Sequence, residues 1–168
     1  MREMRLNVFN RFFLASLPAG AAVGVTTNTI INHRGELVMG AGVALAAKTV
    51  FPQLPLAFAA FVPSPNYGVG VVDCKLEGKF IIRTGEYQKI PSHPVRVFAF
   101  PTKENWRKPS TMARISQSIT LVLNLFRDQP GPFYLPRPGC NLGGLDWPSQ
   151  VKPLCAERLD DRFIICNL

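Results

Sequence analysis

The stretch VRVFAFPTKENWR, residues 95–107, changes character halfway along. VRVFAF reads as a buried strand. It ends directly in Lys103, beside Trp106 and the further charge of Arg107 and Lys108. In an open α/β sheet, ligands sit at the carboxyl ends of the strands. A lysine at that place raises the question of what it would face.

Working outward, AAVGVTT (21–27) reads as a second buried strand, followed by the polar loop NTIINHRGE (28–36). GVALAAKTVF (42–51) has alanines and leucine at helical spacing and stops before Pro52, and PLAFAAF (55–61) continues as a short helix or turn. GVGVVDCK (68–75) and KFIIRTG (79–85), joined by LEG, read as a strand pair, which predicts a mixed sheet. A helix is expected from Ser110, a good N-cap, with an apolar stripe of Ile115, Ile119, Val122 and Phe126. GPFYLPRP (131–138) is a strand running into a glycine loop. PSQVKPLCAERL (148–159) is a helix whose first turn Pro153 disturbs, and RFIICNL is a closing strand. Strands alternate with helices, so the fold class is α/β and layered.

The totals narrow the choices. The 168 residues suit one domain over 1–168, and 47% apolar composition argues against disorder. Lysine and arginine number 19 against 11 acids, a formal charge of +8, which attracts polyanions. The positive charges are scattered from Arg2 to Arg162, so nucleic acid is a candidate partner on general electrostatic grounds only. Cys74, Cys140, Cys155 and Cys166 lack C-x-x-C spacing and only His33 and His93 accompany them, so no metal site is expected. Reduced thiols and a cytoplasmic location are the expectation. Arg11 and Pro18 interrupt the amino-terminal apolar stretch, against a secretory signal, and LPLAFAAFV (54–62) is too short to span a bilayer. A monomer without membrane contact is expected.

Three polar elements each follow a predicted buried strand: Asn28, Lys103 and the loop 138–146. They are expected to converge on one crevice. In VMGAGVALAAK (38–48), Gly40 and Gly42 flank Ala41 where a helix begins, so backbone N–H groups can approach an anion at the positive helix end. The same glycines also suit a tight loop made for packing. In PGCNLGGLDW (138–147), Gly139, Gly143 and Gly144 form a second loop able to wrap a diphosphate or ribose. Asp146 closes it; composition alone favours a helix N-cap there. A lysine such as Lys103 has a reference pKa of about 10.4, so acting as a nucleophile requires desolvation or cationic neighbours. Trp106 could supply the first, Arg107 and Lys108 the second.

Together VMGAGVALAAK, FPTKENWR and PGCNLGGLDW, in that order, resemble a macrodomain. They are most similar to the branch holding the terminal ADP-ribose glycohydrolase and the antitoxins that remove ADP-ribose from DNA. The resemblance runs from about Val25 to the end of the chain. It implies a three-layer α/β/α fold with a mixed sheet of roughly six strands. It implies ADP-ribose, or an ADP-ribosylated macromolecule, as ligand, with no cofactor. Lys103 and Asp146 would be the catalytic pair for removing ADP-ribose from nucleic acid or a protein carboxylate. The diphosphate and distal ribose would lie between Val38, Met39, Gly40, Ala41 and Gly42 on one side and Pro138, Gly139, Cys140, Asn141, Leu142, Gly143 and Gly144 on the other. Asn28 would meet the distal ribose, with Asn32 its rival because the connection to Met39 is long. Ala41 stands where a lysine is common in the family. No aspartate in VFNRFFLAS matches the one that usually holds adenine, so the adenine contact is unassigned.

In the mechanism this implies, Lys103 attacks C1″ and opens the ribose to a Schiff-base-type adduct that water releases; a milder version has Lys103 stabilising the leaving group by charge. Asp146 would serve as general acid or base, or polarise ribose hydroxyls. Rival readings are a non-catalytic ADP-ribose reader, an ADP-ribose 1″-phosphate phosphatase, and an interaction protein using its basic surface for nucleic acid.

Overall fold

The structure, a computed structural model, describes residues 1–167. In chain order its elements are β1 (Arg2–Arg5), α1 (Arg11–Ser16), β2 (Ala22–Thr27), α2 (Gly42–Val50), α3 (Leu54–Ala59), β3 (Gly70–Cys74), β4 (Phe80–Arg83), β5 (Glu86–Lys89), β6 (Val95–Pro101), α4 (Met112–Leu125), β7 (Phe133–Pro136), a π-helical turn (Trp147–Val151), α5 (Lys152–Arg158) and β8 (Phe163–Asn167). The main sheet has six strands in the order β1-β8-β7-β2-β6-β3. Its neighbours pair in parallel except β3, which runs antiparallel to β6.

Alternation along the central strands explains the layers. Val23, Val25, Val97 and Ala99 point to one face, where they pack with Leu14, Ala47, Phe51, Leu54 and Phe58 from α1, α2, α3 and their flanks. Ala22, Phe98, Phe100, Phe133, Leu135, Phe163 and Ile165 point to the other, against Ile115, Ile119, Val122 and Phe126 of α4 and Val151 and Cys155 around α5. The stripe predicted for α4 is thus its buried face. With both faces covered, the central strands have no need of a polar side, which is why they read as apolar runs. The arrangement is the expected three-layer α/β/α sandwich on a mixed six-stranded sheet.

Aromatic rings dominate the second face. Phe126 stacks on Phe133 with centroids 4.2 Å apart and meets Phe98 edge-on at 5.2 Å. Gly24 sits mid-strand because a Cβ there would lie 2.7 Å from the Phe98 ring and 2.9 Å from Leu135.

The structure corrects three expectations. KFIIR does not pair with GVGVVDC: β4 pairs with β5 as a separate two-stranded ribbon, and β3 pairs with β6. The sheet is mixed for a different reason from the one foreseen. Beside β6, β3 adds its apolar residues to both cores, whereas Phe80 and Ile82 find no such cover. The N-cap of α4 is Thr111, whose hydroxyl accepts from Arg114 N, while Ser110 is buried one residue earlier. The helix expected from Pro148 starts as a π-helical turn at Trp147, and α5 follows with Pro153 in its first turn, where a missing N–H does no harm. β1 was not foreseen. All four of its residues are exposed, and only backbone pairing with β8 makes it a strand.

Phe126→Ala should cost about 3–5 kcal/mol, since a cavity would open between stacked rings. Urea denaturation should show that loss at unchanged slope; a loss below about 1 kcal/mol would mean the ring cluster is not central to the core.

Candidate active site

β2 and β6 run parallel in register from Ala22↔Arg96 to Thr27↔Pro101, so they end level with each other. Thr102 N continues the ladder by donating to Thr27 O at 2.9 Å. Asn28 and Lys103 therefore leave the sheet side by side, at its carboxyl edge.

Asn28 is 7% exposed and both ends of its side-chain amide are engaged. Nδ2 donates to Val38 O and Oδ1 accepts from Ile30 N, each at 2.9 Å. These bonds fold the long connection 28–38 back on itself and return Gly40–Gly42 to the strand mouth. Asn32, the rival for the ribose contact, is exposed, and its oxygen accepts from Arg34 N and Glu36 N in a turn. Val38 is half-buried and Met39 buried, so Met39 anchors the loop to the core. Gly40, Ala41 and Gly42 are exposed. Ala41 caps α2 without a side-chain hydrogen bond, which leaves first-turn N–H groups open to an anion. Gly42 has φ +56°, a conformation that favours glycine.

The second loop is packed by its glycines. A Cβ on Gly139 would meet Ile115, Leu145 and Ser110 within 3.0 Å, and one on Gly143 would meet Ser110 Oγ at 2.3 Å. Ser110 N donates to Gly143 O and Leu145 N to Gly139 O, each at 2.9 Å. Pro138 is buried, Cys140 half-buried, and Asn141, Leu142 and Gly144 are exposed. Burial pushes the Cys140 thiol up to about 11, so it is an unreactive thiol at neutral pH. Leu142 reaches the first loop: its Cδ1 lies 3.3 Å from where a Gly42 Cβ would be. The two glycine loops thus meet.

Lys103 is fixed from both sides. On one, Thr102 O accepts from Thr111 N at 3.1 Å and Thr102 Oγ1 accepts from Ser110 Oγ at 3.0 Å. On the other, Glu104 O accepts from Thr29 N at 3.1 Å and its carboxylate accepts from Thr29 Oγ1 at 2.6 Å. The Glu104 carboxylate also lies 3.2 Å from Nε of Arg114, which is 6% exposed. That guanidinium further donates to Tyr67 O and Gln117 Oε1. Ser110 is the link between the two parts, since it contacts both Thr102 and Gly143. Lys103 is half-buried; Trp106, which could have shielded it, is 48% exposed, with Arg107 stacked 4.7 Å from its ring.

Asp146 is exposed and caps the π-helical turn, its Oδ2 accepting from Ser149 N at 3.0 Å and from the Ser149 hydroxyl. The Ser149 hydroxyl, then the Ser149 N–H, hold this carboxyl below the usual aspartate range. The cap favoured by composition is present. It leaves the other carboxylate oxygen available at the end of the glycine loop.

Arg114, Glu104 and Glu3 were missed at the level of sequence. Glu3 on β1 holds both flanks of the second loop, with Arg137 Nη2 at 3.1 Å and Trp147 Nε1 at 3.2 Å, and pairs with Lys152 at 2.6 Å. No local signal marks a glutamate at position 3. Arg114, abutting the apolar stripe of α4, was the one legible hint.

No family model matches the sequence. The DNA ADP-ribosyl glycohydrolase of Thermus aquaticus is 34% identical over 154 residues, covering 90% of this chain and 37% of that protein. The chain thus spans little more than a third of that relative's length. The macrodomain of Mycobacterium tuberculosis DarG superimposes with TM-score 0.63 at 25% identity, over 92% of this chain and 93% of that one. Thermosipho africanus DarTG, solved in complex with ADP-ribose, shares the fold at TM-score 0.63 and 21% identity, over 89% of this chain and 39% of that one. With the sheet and the helix layers matching what the three motifs led us to expect, the chain belongs to the macrodomain family.

Proposed function

We propose that the chain is an ADP-ribosyl hydrolase that removes ADP-ribose from a nucleic acid, with DNA the favoured acceptor. The observation that carries this reading is the placement of Lys103. Its backbone is held at Thr102 and Glu104, at the carboxyl end of β6 and level with that of β2. A diphosphate between the two glycine loops would find open N–H groups at α2. Binding there would fix the distal ribose and bring C1″ to the Lys103 amine, and such positioning is a large part of a rate gain. The name of the Thermus relative favours DNA as acceptor, and the net charge of +8 lowers the cost of bringing up a second polyanion.

In this scheme the Lys103 amine bonds to C1″ as the bond to the acceptor breaks. The ribose opens to a Schiff base, and water releases ADP-ribose and restores the amine. Asp146, held ionised by Ser149, accepts a proton or orients ribose hydroxyls; it suits the base role better than the acid role. ADP-ribose is the ligand, and the scheme draws on no cofactor. One observation favours a second reading, a non-catalytic ADP-ribose reader: the engagement of Asp146 as a cap. Turnover of an ADP-ribosylated oligonucleotide, beside calorimetry with free ADP-ribose, separates the two.

Lys103→Ala should lower kcat by about two to three orders of magnitude while ADP-ribose still binds. Lys103→Arg keeps the charge but not the nucleophile, so it should fail equally, and borohydride should trap wild-type protein on substrate. Full activity in Lys103→Ala would end the proposal; an active Lys103→Arg without trapping would leave only the electrostatic role. For Asp146 the sign follows from its depressed pKa: the carboxylate persists above the ordinary aspartate range and is lost only as pH falls below it. The activity ratio of wild type to Asp146→Asn should therefore be flat from about pH 5 to 8, and a ratio falling with rising pH would mark a protonated acid instead. Gly42→Val forces a β-branched residue to positive φ against Leu142. It should cut ADP-ribose affinity at least about tenfold, measured by calorimetry, with a melting temperature lowered by the strain but a cooperative unfolding transition retained; unchanged affinity would remove the first glycine loop from the site.

A further inference from the structure

The β4–β5 ribbon has no part in the crevice. Its register pairs Phe80 with Lys89 and Ile82 with Tyr87, which puts these four on one face. The other face turns inward: Ile81 packs against the core, and Arg83 stacks 4.5 Å from the Phe12 ring. The outward face leaves Phe80, Ile82 and Tyr87 53%, 82% and 74% exposed. Phe80 meets Tyr87 edge-on at 5.6 Å.

Charge surrounds this apolar strip. Lys75, Lys79 and Lys89 are all exposed, and none of them forms an ion pair among the described residues. Two exposed acids accompany them: Glu86, on the ribbon's opposite face and 3.8 Å from Arg83, and Glu77, between Lys75 and Lys79 in sequence. At the root of the ribbon is a cavity of about 500 Å³ whose walls include Leu17, Leu76, Lys79, Phe80, Lys89 and Ile90. His93 helps shape it by donating from Nε2 to Leu17 O at 2.8 Å. Ala21 and Val95, which precede or open β2 and β6, also line it. The cavity therefore lies at the amino ends of the central strands, about 20 Å along the sheet from the glycine loops at some 3.3 Å per residue.

We propose that this ribbon and the cavity at its root form a docking surface for single-stranded nucleic acid, separate from the ADP-ribose crevice. Every unstacked base offers a flat face to an aromatic ring, and lysines beside the rings meet the phosphates between bases. Phe80 and Tyr87 supply the rings, Lys75, Lys79 and Lys89 the amines, and the apolar cavity takes a base. A duplex keeps its bases stacked and presents only phosphates to the lysines. The inference does not rest on the hydrolase reading, because the surface would serve a reader equally well.

The test uses a fluorescein-labelled, unmodified DNA strand of about a dozen nucleotides, titrated by anisotropy over a salt series. Lys79→Glu with Lys89→Glu should weaken binding more than about tenfold and make the salt dependence shallower by roughly one unit of slope. Phe80→Ala with Tyr87→Ala should weaken it about tenfold or more with the slope unchanged. Both variants should bind ADP-ribose as wild type does, which shows that they fold. Saturating ADP-ribose should leave the affinity for the DNA strand unaltered, and duplex should bind more weakly. The proposal is overturned if wild type does not bind the strand, if neither variant weakens it, or if duplex binds as tightly. Loss of self-association in sedimentation, or of binding to phosphatidylserine vesicles, without loss of DNA binding would also overturn it. A wild-type chain that binds the strand but not ADP-ribose would sink the hydrolase reading and leave this one standing.

Discussion

β2 and β6 are held in parallel register along their whole lengths, and Thr102 extends the pairing one step past Pro101 to Thr27. Asn28, Lys103 and, through Ser110, the second glycine loop are hung from that pair. Because both strands are buried on two faces, their ends are as rigid as the core behind them. Asn28 and Lys103 inherit that rigidity directly. The loop 138–144 inherits it at one remove, through Ser110, whose N–H binds Gly143 O and whose hydroxyl binds Thr102. A site on loops is made definite by being tied to strand ends.

The ties themselves are charged and partly buried, which sets their importance. Arg114 is nearly enclosed, and a buried guanidinium without partners would be costly. It is matched by Glu104, Tyr67 O and Gln117 Oε1, so one side chain joins α4, the turn before β3 and the Lys103 segment. Glu3 plays the same part on the opposite side of the second loop. Hydrogen bonds from Lys152 first, then from Arg137 and Trp147, hold its carboxyl below the usual glutamate range against the opposing effect of burial. The edge strand β1, all exposed, contributes to the site through this one residue.

The two ends of the sheet are chemically unlike. At the carboxyl ends, glycines and open N–H groups suit a diphosphate. At the amino ends, an apolar cavity is lined by Phe80 and by Lys75, Lys79 and Lys89, which form no ion pair among the described residues. The length of the central strands separates the two.

The fold class was legible because buried parallel strands must be apolar on both faces and helices must carry a stripe; VRVFAF, AAVGVTT and the Ile115–Phe126 stripe met those needs locally. Asn28, Lys103 and 138–146 were singled out because they follow such strands, and the structure does set Asn28 and Lys103 side by side where β2 and β6 end. Partner choice was not legible. KFIIR was assigned to GVGVVDC because they are neighbours in sequence, yet β3 found a better-covered place beside β6, a strand some twenty residues on. Ser110 is not the cap because its hydroxyl turns to Thr102 and its N–H to Gly143 O, which leaves Thr111 to accept from Arg114 N. Glu3, Arg114 and the inward use of Asn28 depend on contacts between segments far apart along the chain. By itself, then, the sequence determined which segments would be buried and which residues would stand at their ends, because burial and periodicity are local properties. Only the tertiary structure decided what each end residue touches, because pairing, register and charge matching are settled between segments that no local pattern relates.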